Sequence, residues 1–279
     1  MFISPMLLEQ VDAPFSDDQY IFEPKIDGHR LILSRINGVT KLYTRHNNDV
    51  TAKYPELISD GPNVILDGEV VVLDPETGYP DFELTMQRFQ SKSAQLPVSY
   101  VVFDIMRYQD TDLQGLPLLE RKSFLDRAVT DSPTVCKIAY VDGRGEDLYQ
   151  AIVARKMEGV VAKRKDSAYA PGKRVDTWLK IVNYSYANVY ITGYRKGEFG
   201  WLASIYGNDG RLRPAGIIEL GVPPAHKTAF RSVCGAIITG EDRDYVYLEP
   251  KITARVKFRN WTRKGMLRSP VFVDFVLIE

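Results

Sequence analysis

The residue with the clearest chemical potential near the start of the chain is Lys25, in the stretch FEPKIDGHR at residues 22–30. A lysine amine is a useful nucleophile only when its position is fixed and part of its population is unprotonated. A strand ending at Pro24 and a turn at Asp27-Gly28 would fix the position, and burial or nearby cations would lower the pKa. Taken alone, a Lys-x-Asp-Gly tetrapeptide is more often an ordinary surface turn, so the rest of the chain must decide.

Other groups suited to a nucleotide site recur inside apolar segments. Asp67 and Glu69, in LDGEV, share one face of a predicted strand because alternate residues point the same way. Phe103, in VVFDI, could stack on a base, although a core phenylalanine is the commoner explanation. Lys163 in EGVVAKR and Lys180 in DTWLKIVN lie in apolar strands, where together they could hold phosphate oxygens.

Charge is balanced over the whole chain but not along it. The formal net charge is zero, yet residues 186–279 hold 14 Lys and Arg against 9 Asp and Glu. Within them, residues 251–268 carry seven basic side chains and no acidic one, which fits either phosphate binding or a solvated surface. The seven are Lys251, Arg255, Lys257, Arg259, Arg263, Lys264 and Arg268.

The apolar pattern predicts the elements that must position these groups. Strands are expected at 19–26, 29–38, 39–45, 63–74, 99–108, 159–165 and 176–184, and helices at 81–91, 117–129 and 146–157. Hairpin signals such as Asn37-Gly38 are frequent and no regular βαβ alternation appears. We therefore expect an α+β, mostly antiparallel domain over residues 1–185.

Residues 186–279 follow a different pattern. Five short β-type segments are predicted, at 189–197, 201–207, 214–221, 244–250 and 252–258, with a helix at 224–237 between the third and the fourth. This is the order of an OB-type barrel, a common platform for nucleic acids. The domain boundary is expected near residue 185, with 183–188 as a candidate hinge.

Length and composition set further bounds. The 279 residues, 44% hydrophobic and 26% charged, suffice for two globular domains. No apolar run reaches the roughly 18 residues of a membrane span, and the first residues lack a signal-peptide pattern. With only Cys136 and Cys234, no disulfide framework is expected. We expect a cytoplasmic monomer with no membrane partner.

Five segments in order resemble the motifs of one superfamily. KIDG, LDGEV, VVFDI, EGVVAKR and TWLKI are similar to motifs I, III, IIIa, IV and V of the covalent nucleotidyltransferases: ATP-dependent DNA ligases, RNA ligases and capping enzymes. The resemblance covers roughly residues 20–270. EGVVAKR, TWLKIVN and FRNWTRKGMLRSPVF most resemble bacterial ATP-dependent DNA ligases, including the ligase modules of end-joining enzymes.

This resemblance implies a reaction centred on Lys25 and ATP. Lys25 would attack the α-phosphate, expel pyrophosphate and carry AMP to the 5′-phosphate of a nick in duplex DNA, which the 3′-hydroxyl then seals. Glu23 would contact adenine through its backbone. Phe103 would stack on that base. The remaining nucleotide contacts would come from Glu69 at the ribose, and from Arg30 and Arg45 at the ribose, the phosphates or the DNA end.

The same resemblance implies a phosphate and metal site. Lys163 and Lys180 would neutralise the α-phosphate, and Asp27 and Glu158 would hold a divalent ion, Mg²⁺ or Mn²⁺. Asp67 is expected to fix a tight turn. The seven basic residues of 251–268 would bind the DNA in a salt-sensitive manner, because only about twenty residues precede Lys25.

The sequence also departs from the pattern of this family. Val182 stands where many ligases carry a second lysine after Lys180, and the end RSPVFVDFVLIE lacks a basic Arg-x-Asp-Lys motif that orients pyrophosphate. Either the first step is slow or Arg263, Lys264 or Arg268 takes that duty. Two alternatives stay open: an RNA ligase or guanylyltransferase, and a non-catalytic nucleic-acid-binding OB protein.

Overall fold

The chain folds into two compact units, each with its own hydrophobic core. The computed structural model describes residues 1–91 and 96–276. The units are Met1–Asn183 and Tyr184–Glu279. No helix in these described ranges is long and apolar enough to cross a membrane.

The first unit combines strands with a few helices. Its described strands are β1 (Leu7–Val11), β2 (Tyr20–Pro24), β3 (His29–Ile36), β4 (Val39–Thr44), β5 (Val64–Leu73), β6 (Pro80–Asp81), β7 (Ser99–Tyr108), β8 (Thr111–Asp112), β9 (Val135–Lys137), β10 (Val141–Asp142), β11 (Gly159–Arg164) and β12 (Arg174–Val182). Its α-helices are α1 (Phe82–Gln90), α2 (Leu118–Ala128) and α3 (Gly145–Ala154), and short 3₁₀ turns lie at Thr51–Lys53 and Pro55–Leu57.

These strands form two sheets. One has the order β1-β12-β11-β2-β10, and the other β4-β3-β5-β7-β8, with β6 on β5 and β9 on β7. The pairs β1/β12 and β7/β9 are parallel, whereas the other pairs in these sheets run antiparallel. The predicted α+β, mostly antiparallel fold is confirmed.

The helix predicted over 146–157 ends earlier than expected. Helix α3 stops at Ala154, and Lys156 has the left-handed φ of 55°. A left-handed residue cannot continue a right-handed helix, so the chain turns there and enters β11 at Gly159. This turn places Glu158 at the start of the strand.

Two motif glycines are required by close packing. A Cβ added at Gly28 would lie 2.3 Å from the carbonyl oxygen of Val70, and one at Gly159 would lie 2.1 Å from that of Ile181. Real side chains do not tolerate such distances, so both positions need glycine. Gly28 thereby lets the segment after Lys25 approach β5, and Gly159 lets β11 approach β12.

The second unit is a curled antiparallel sheet with one helix. Its elements are β13 (Ser185–Arg195), β14 (Trp201–Tyr206), β15 (Leu212–Ile218), α4 (Pro224–Cys234), a 3₁₀ turn (Gly235–Ile237), β16 (Ile238–Glu241), β17 (Tyr245–Phe258) and β18 (Val271–Phe275). The sheet order is β15-β14-β13-β17-β16, with β18 on β17. Leu220, just after β15, bridges Val271 of β18, so the sheet curls toward closure as in an OB-type barrel.

The predicted strand list of this unit is wrong in detail. The segments 244–250 and 252–258 are one continuous strand, β17, and β16 and β18 were not predicted. Pro250 is the last residue of the first predicted segment, and proline cannot donate to a strand ladder. In the structure Pro250 falls where the register between β13 and β17 shifts, and a bulge of this kind leaves residues of one strand unpaired.

Candidate active site

Strand register brings four of the predicted residues, together with Trp178, to one face of the first sheet. Val161 of β11 lies opposite both Glu23 and Lys180, and Lys163 lies opposite Trp178. Lys25 follows β2 directly, and its backbone N–H still donates to the carbonyl of Gly159 at 2.8 Å. Because side chains alternate along a strand, Glu23, Lys25, Lys163, Trp178 and Lys180 point the same way. The opposite face packs Phe22, Val160, Ala162 and Ile181 into a core.

The amine of Lys25 is held by Glu158. The Nζ to Oε2 distance is 2.8 Å, with 18% of the lysine side chain and 7% of the glutamate side chain exposed. An ammonium in such a pair has no lone pair to offer. A lysine in such a pair could act as a nucleophile only after its amine loses a proton.

Glu69 faces the same group of charges from the second sheet. Burial raises its pKa to about 8, Lys25 and Arg30 lower the pKa, and Glu158 and Asp27 raise it. Glu69 therefore interacts electrostatically with Lys25 and Arg30 and with two further carboxylates, Glu158 and Asp27. Arg30 lies directly opposite Glu69 in the β3/β5 pair.

Arg30 is oriented by Asp67. Its guanidinium donates to both carboxylate oxygens, at 2.9 Å and 2.6 Å, and the hydroxyl of Tyr169 donates to the same carboxylate at 2.6 Å. Burial alone would lower the pKa of Arg30, but the ion pair with Asp67 outweighs it and the pKa is raised. The expectation that Asp67 fixes a tight turn is wrong, because Asp67 is buried in the middle of β5.

A buried charge cluster lies beneath the predicted base-stacking ring. The carboxylate of Glu23 accepts from Lys163 at 2.7 Å and also from Lys122 of α2. The Lys163 ammonium lies over the rings of Phe103 and Trp178, at 4.5 Å and 4.0 Å from their centroids. Burial lowers the pKa of Lys163 to about 8. The structure thus places Lys163 next to the Glu23 carboxylate and the aromatic rings.

Sequence reasoning missed Lys122 and Tyr169. Lys122 follows Glu120 and Arg121 in a charged stretch of α2 that looks solvent-exposed, and only the burial of Leu118 and Leu125 on the same helix indicated its orientation. Tyr169 lies outside every motif, in the loop between β11 and β12. Its hydroxyl joins Asp67 to the backbone N–H of Met6.

Arg45 and Asp27 are the remaining predicted contacts to the nucleotide and the metal ion. Arg45 is exposed and donates to His46 at 2.9 Å. Asp27 is half-buried. Among residues 1–91 and 96–276, no three His, Cys, Asp or Glu side chains form a group that could hold a metal ion. A divalent ion bound by Asp27 and Glu158 would fit only as Mg²⁺ often binds, with one or two carboxylates completed by phosphate oxygens and water.

The basic stretch of the second unit combines with tyrosines. Arg255 lies over the ring of Tyr186 at 5.0 Å, and Lys257 and Arg259 lie over Tyr184 at 4.9 Å and 5.7 Å. The other members of the stretch are Lys251, paired with Glu249 at 2.6 Å, the exposed Arg263 and Lys264 between Trp261 and Leu267, and Arg268 near Asn260.

Comparison with known proteins decides the family. Residues 5–181 match the family model described as the ATP dependent DNA ligase domain. The chain belongs to the ATP-dependent DNA ligase family. This ligase is 42% identical over 273 residues to the SPbeta prophage-derived DNA ligase-like protein LigB of Bacillus subtilis, covering 98% of each chain.

Other relatives are modules of longer proteins. The ligase is 30% identical to the multifunctional non-homologous end joining protein LigD of Mycobacterium bovis, covering 95% of this chain but 37% of LigD. The mycobacterial DNA ligase D structure complexed with ATP and MES matches with a TM-score of 0.62 at 27% identity, covering 98% of this chain and 95% of that one. A Lig E DNA ligase structure matches with a TM-score of 0.69 at 18% identity, over 99% and 100% of the two chains, and shows the shared fold.

Proposed function

We propose that this ligase seals 5′-phosphate/3′-hydroxyl nicks in duplex DNA through a covalent lysyl-AMP intermediate on Lys25. The observation that carries the proposal is the position of the Lys25 amine. It is ion-paired with Glu158 on a sheet face that also presents Lys163 and Lys180, and it couples electrostatically to Glu69. Residues 1–185 would form the adenylate, and residues 186–279 would act as the OB-fold domain.

In the first step the Lys25 amine would attack the α-phosphate of ATP. An N–P bond forms, the bond from the α-phosphate to the bridging oxygen breaks, pyrophosphate leaves and the amine loses a proton. Lys180 would face the charge that develops on the α-phosphate oxygens. Phe103 would stack on the base, and Glu69 and Arg30 would lie toward the ribose and phosphates. Arg45 would contact the phosphates or the DNA end.

Glu158, whose carboxylate pairs with Lys25, would also determine when the Lys25 amine becomes reactive. A divalent ion at Asp27 and Glu158 would neutralise phosphate charge when bound. Drawing Glu158 away from Lys25 would leave the ammonium without its counter-ion and favour its deprotonation. The 5′-phosphate oxygen of the nick would then displace Lys25 from AMP, and the 3′-hydroxyl would displace AMP to form the phosphodiester.

The experiment is intact mass spectrometry after incubation with ATP and magnesium, with Lys25→Ala as the control. We expect a gain of one AMP in the wild type alone, removed by duplex DNA that carries a nick with a 5′-phosphate. An adduct that nicked RNA discharges and nicked DNA does not would identify an RNA ligase. Absence of any adduct, even after pyrophosphate treatment to strip AMP acquired in cells, would contradict the proposal and favour a non-catalytic binding protein.

A further inference from the structure

The contact between Lys122 and Glu23 has no role in the steps above. The two residues are 99 positions apart, and the Lys122 ammonium donates to Oε1 of Glu23 while Lys163 pairs with Oε2. Glu23, Lys122 and Lys163 are 1%, 6% and 1% exposed. A carboxylate removed from water needs such partners, and two of them restrict its orientation.

The Glu23 carboxylate lies where a base would be recognised. Glu23 precedes Lys25 by two residues and points to the same side of the sheet. Its partner Lys163 lies over the ring of Phe103, on which the base is proposed to stack. If the base stacks on Phe103, the carboxylate of Glu23 would lie toward the base, with Lys163 between the two.

Resting on the proposed function, we propose that Lys122 is a positioning residue for adenine recognition. It holds the Glu23 carboxylate so that one oxygen can accept a hydrogen bond from the 6-amino group of the base. A carboxylate oxygen that already accepts from a lysine retains a second lone pair for this bond. A base with a 6-oxo group would place an acceptor against the carboxylate and be disfavoured.

The charge of Lys122 also acts on its neighbour. After burial, which is the main cause, the positive charge of Lys122 further lowers the pKa of Lys163. A neutral side chain at position 122 would leave Glu23 with a single ammonium partner. The carboxylate would then turn toward Lys163, and its alignment with the base would be lost while the Lys25 region stays unchanged.

The test compares single-turnover lysyl-AMP formation from ATP with the same reaction from purine riboside triphosphate, which lacks the 6-amino group. Lys122→Met is expected to raise the half-saturating ATP concentration by about 10- to 100-fold, the range for a hydrogen bond to a charged group. The rate at saturation and the half-saturating concentration of the analogue should change little. Lys122→Arg should restore most of the preference for ATP, and Arg127→Met, an exposed change on the same helix, should keep all of it.

Other outcomes separate this inference from the proposed function. An unchanged preference in Lys122→Met, or an equal loss with both nucleotides, would overturn the positioning role. If Lys122→Met does not fold, the double variant Glu23→Gln/Lys122→Met removes both charges of the pair. It should show the same loss of preference as Glu23→Gln alone, and additive losses would overturn the inference. A wild-type protein that forms no AMP adduct would instead contradict the proposed function.

Discussion

At the scale of single residues, the charged side chains of the site are held in ion pairs. Lys25 is paired with Glu158, Arg30 with Asp67, and Lys163 with Glu23. Each pair fixes the orientation of its two side chains inside a partly or fully buried space. Nucleotide binding must therefore exchange existing ion pairs for new ones.

Glu69 makes stability depend on pH. A carboxyl whose pKa is raised from 4.5 to about 8 on folding stabilises the fold below pH 4.5, and this contribution is lost as the pH rises through about 8. Glu69→Gln removes the dependence. We expect the melting temperature of Glu69→Gln to rise relative to that of the wild type between pH 5 and pH 9, by roughly 2–4 °C for each kcal/mol of stability that the wild type loses. The measurement is thermal unfolding of the ligand-free protein across that range.

The control for this comparison is Glu120→Gln, an exposed glutamate on α2. Its melting curve should run parallel to that of the wild type at every pH. Parallel curves for Glu69→Gln as well would mean that Glu69 ionises normally in the folded protein.

Residue types in a motif predict candidates but not their partners. The Lys-x-Asp-Gly pattern identified Lys25 as a candidate. It did not indicate that Lys25 pairs with Glu158, which is 133 residues away in the sequence. No local pattern indicates that Lys122 reaches Glu23, because helix and strand meet only through tertiary packing. Asp67 was misinterpreted for the same reason, since Asp-Gly favours turns locally but here lies within a strand.

At the scale of elements, α2 is attached to the second sheet by a buried ion pair. Arg121 donates to both oxygens of Asp104 on β7, at 2.9 Å and 2.8 Å, and both side chains are fully buried. The guanidinium also donates to the carbonyls of Leu116 and Ser167. This attachment fixes the helix that carries Lys122.

Asp104→Asn should be strongly destabilising. It leaves the Arg121 charge buried without a counter-ion, which typically costs about 3–5 kcal/mol. Asp126→Asn, on the exposed side of α2, should change the free energy of unfolding by no more than about 0.5 kcal/mol. Chemical denaturation measures both. Similar values for the two variants would show that the Arg121 pair does not hold the helix.

The positions of most helices and longer strands could be predicted from the spacing of apolar residues in the sequence. Strands such as β3, β5 and β7 have long apolar runs, and α1 and α2 have helical spacing, so their positions followed from pattern alone. The long strand β17 was divided in the prediction because Pro250 is a breaker by itself, and only the register with β13 shows that a bulge accommodates it.

At the scale of the whole molecule, zero net charge conceals a basic surface on the second unit. The first unit carries the compensating excess of acidic residues. Tyr184 and Tyr186 lie against Arg255, Lys257 and Arg259, which restricts those long side chains before any phosphate arrives. Affinity for duplex DNA is then expected to be electrostatic and independent of sequence.

The double variant Arg263→Ala/Lys264→Ala tests this expectation. If both residues contact phosphates, the slope of log K against log salt concentration should become shallower by about 2, and affinity at low salt should fall. Arg127→Ala/Arg144→Ala, exposed on the first unit, is the matched control and should keep the wild-type slope. Fluorescence anisotropy with a nicked duplex provides the measurement. An unchanged slope in the first variant would place the DNA elsewhere.

The arrangement of Trp178 gives this ligase an internal optical reporter. Of the three tryptophans, Trp178 alone belongs to the first unit, and its indole is buried against the Lys163 ammonium and Phe103. Indole fluorescence responds to nearby positive charge. A nucleotide that disturbs the cluster should therefore change the wavelength and intensity of Trp178 emission. Binding of ATP, ADP or AMP could therefore be followed in real time by intrinsic fluorescence, with no attached dye.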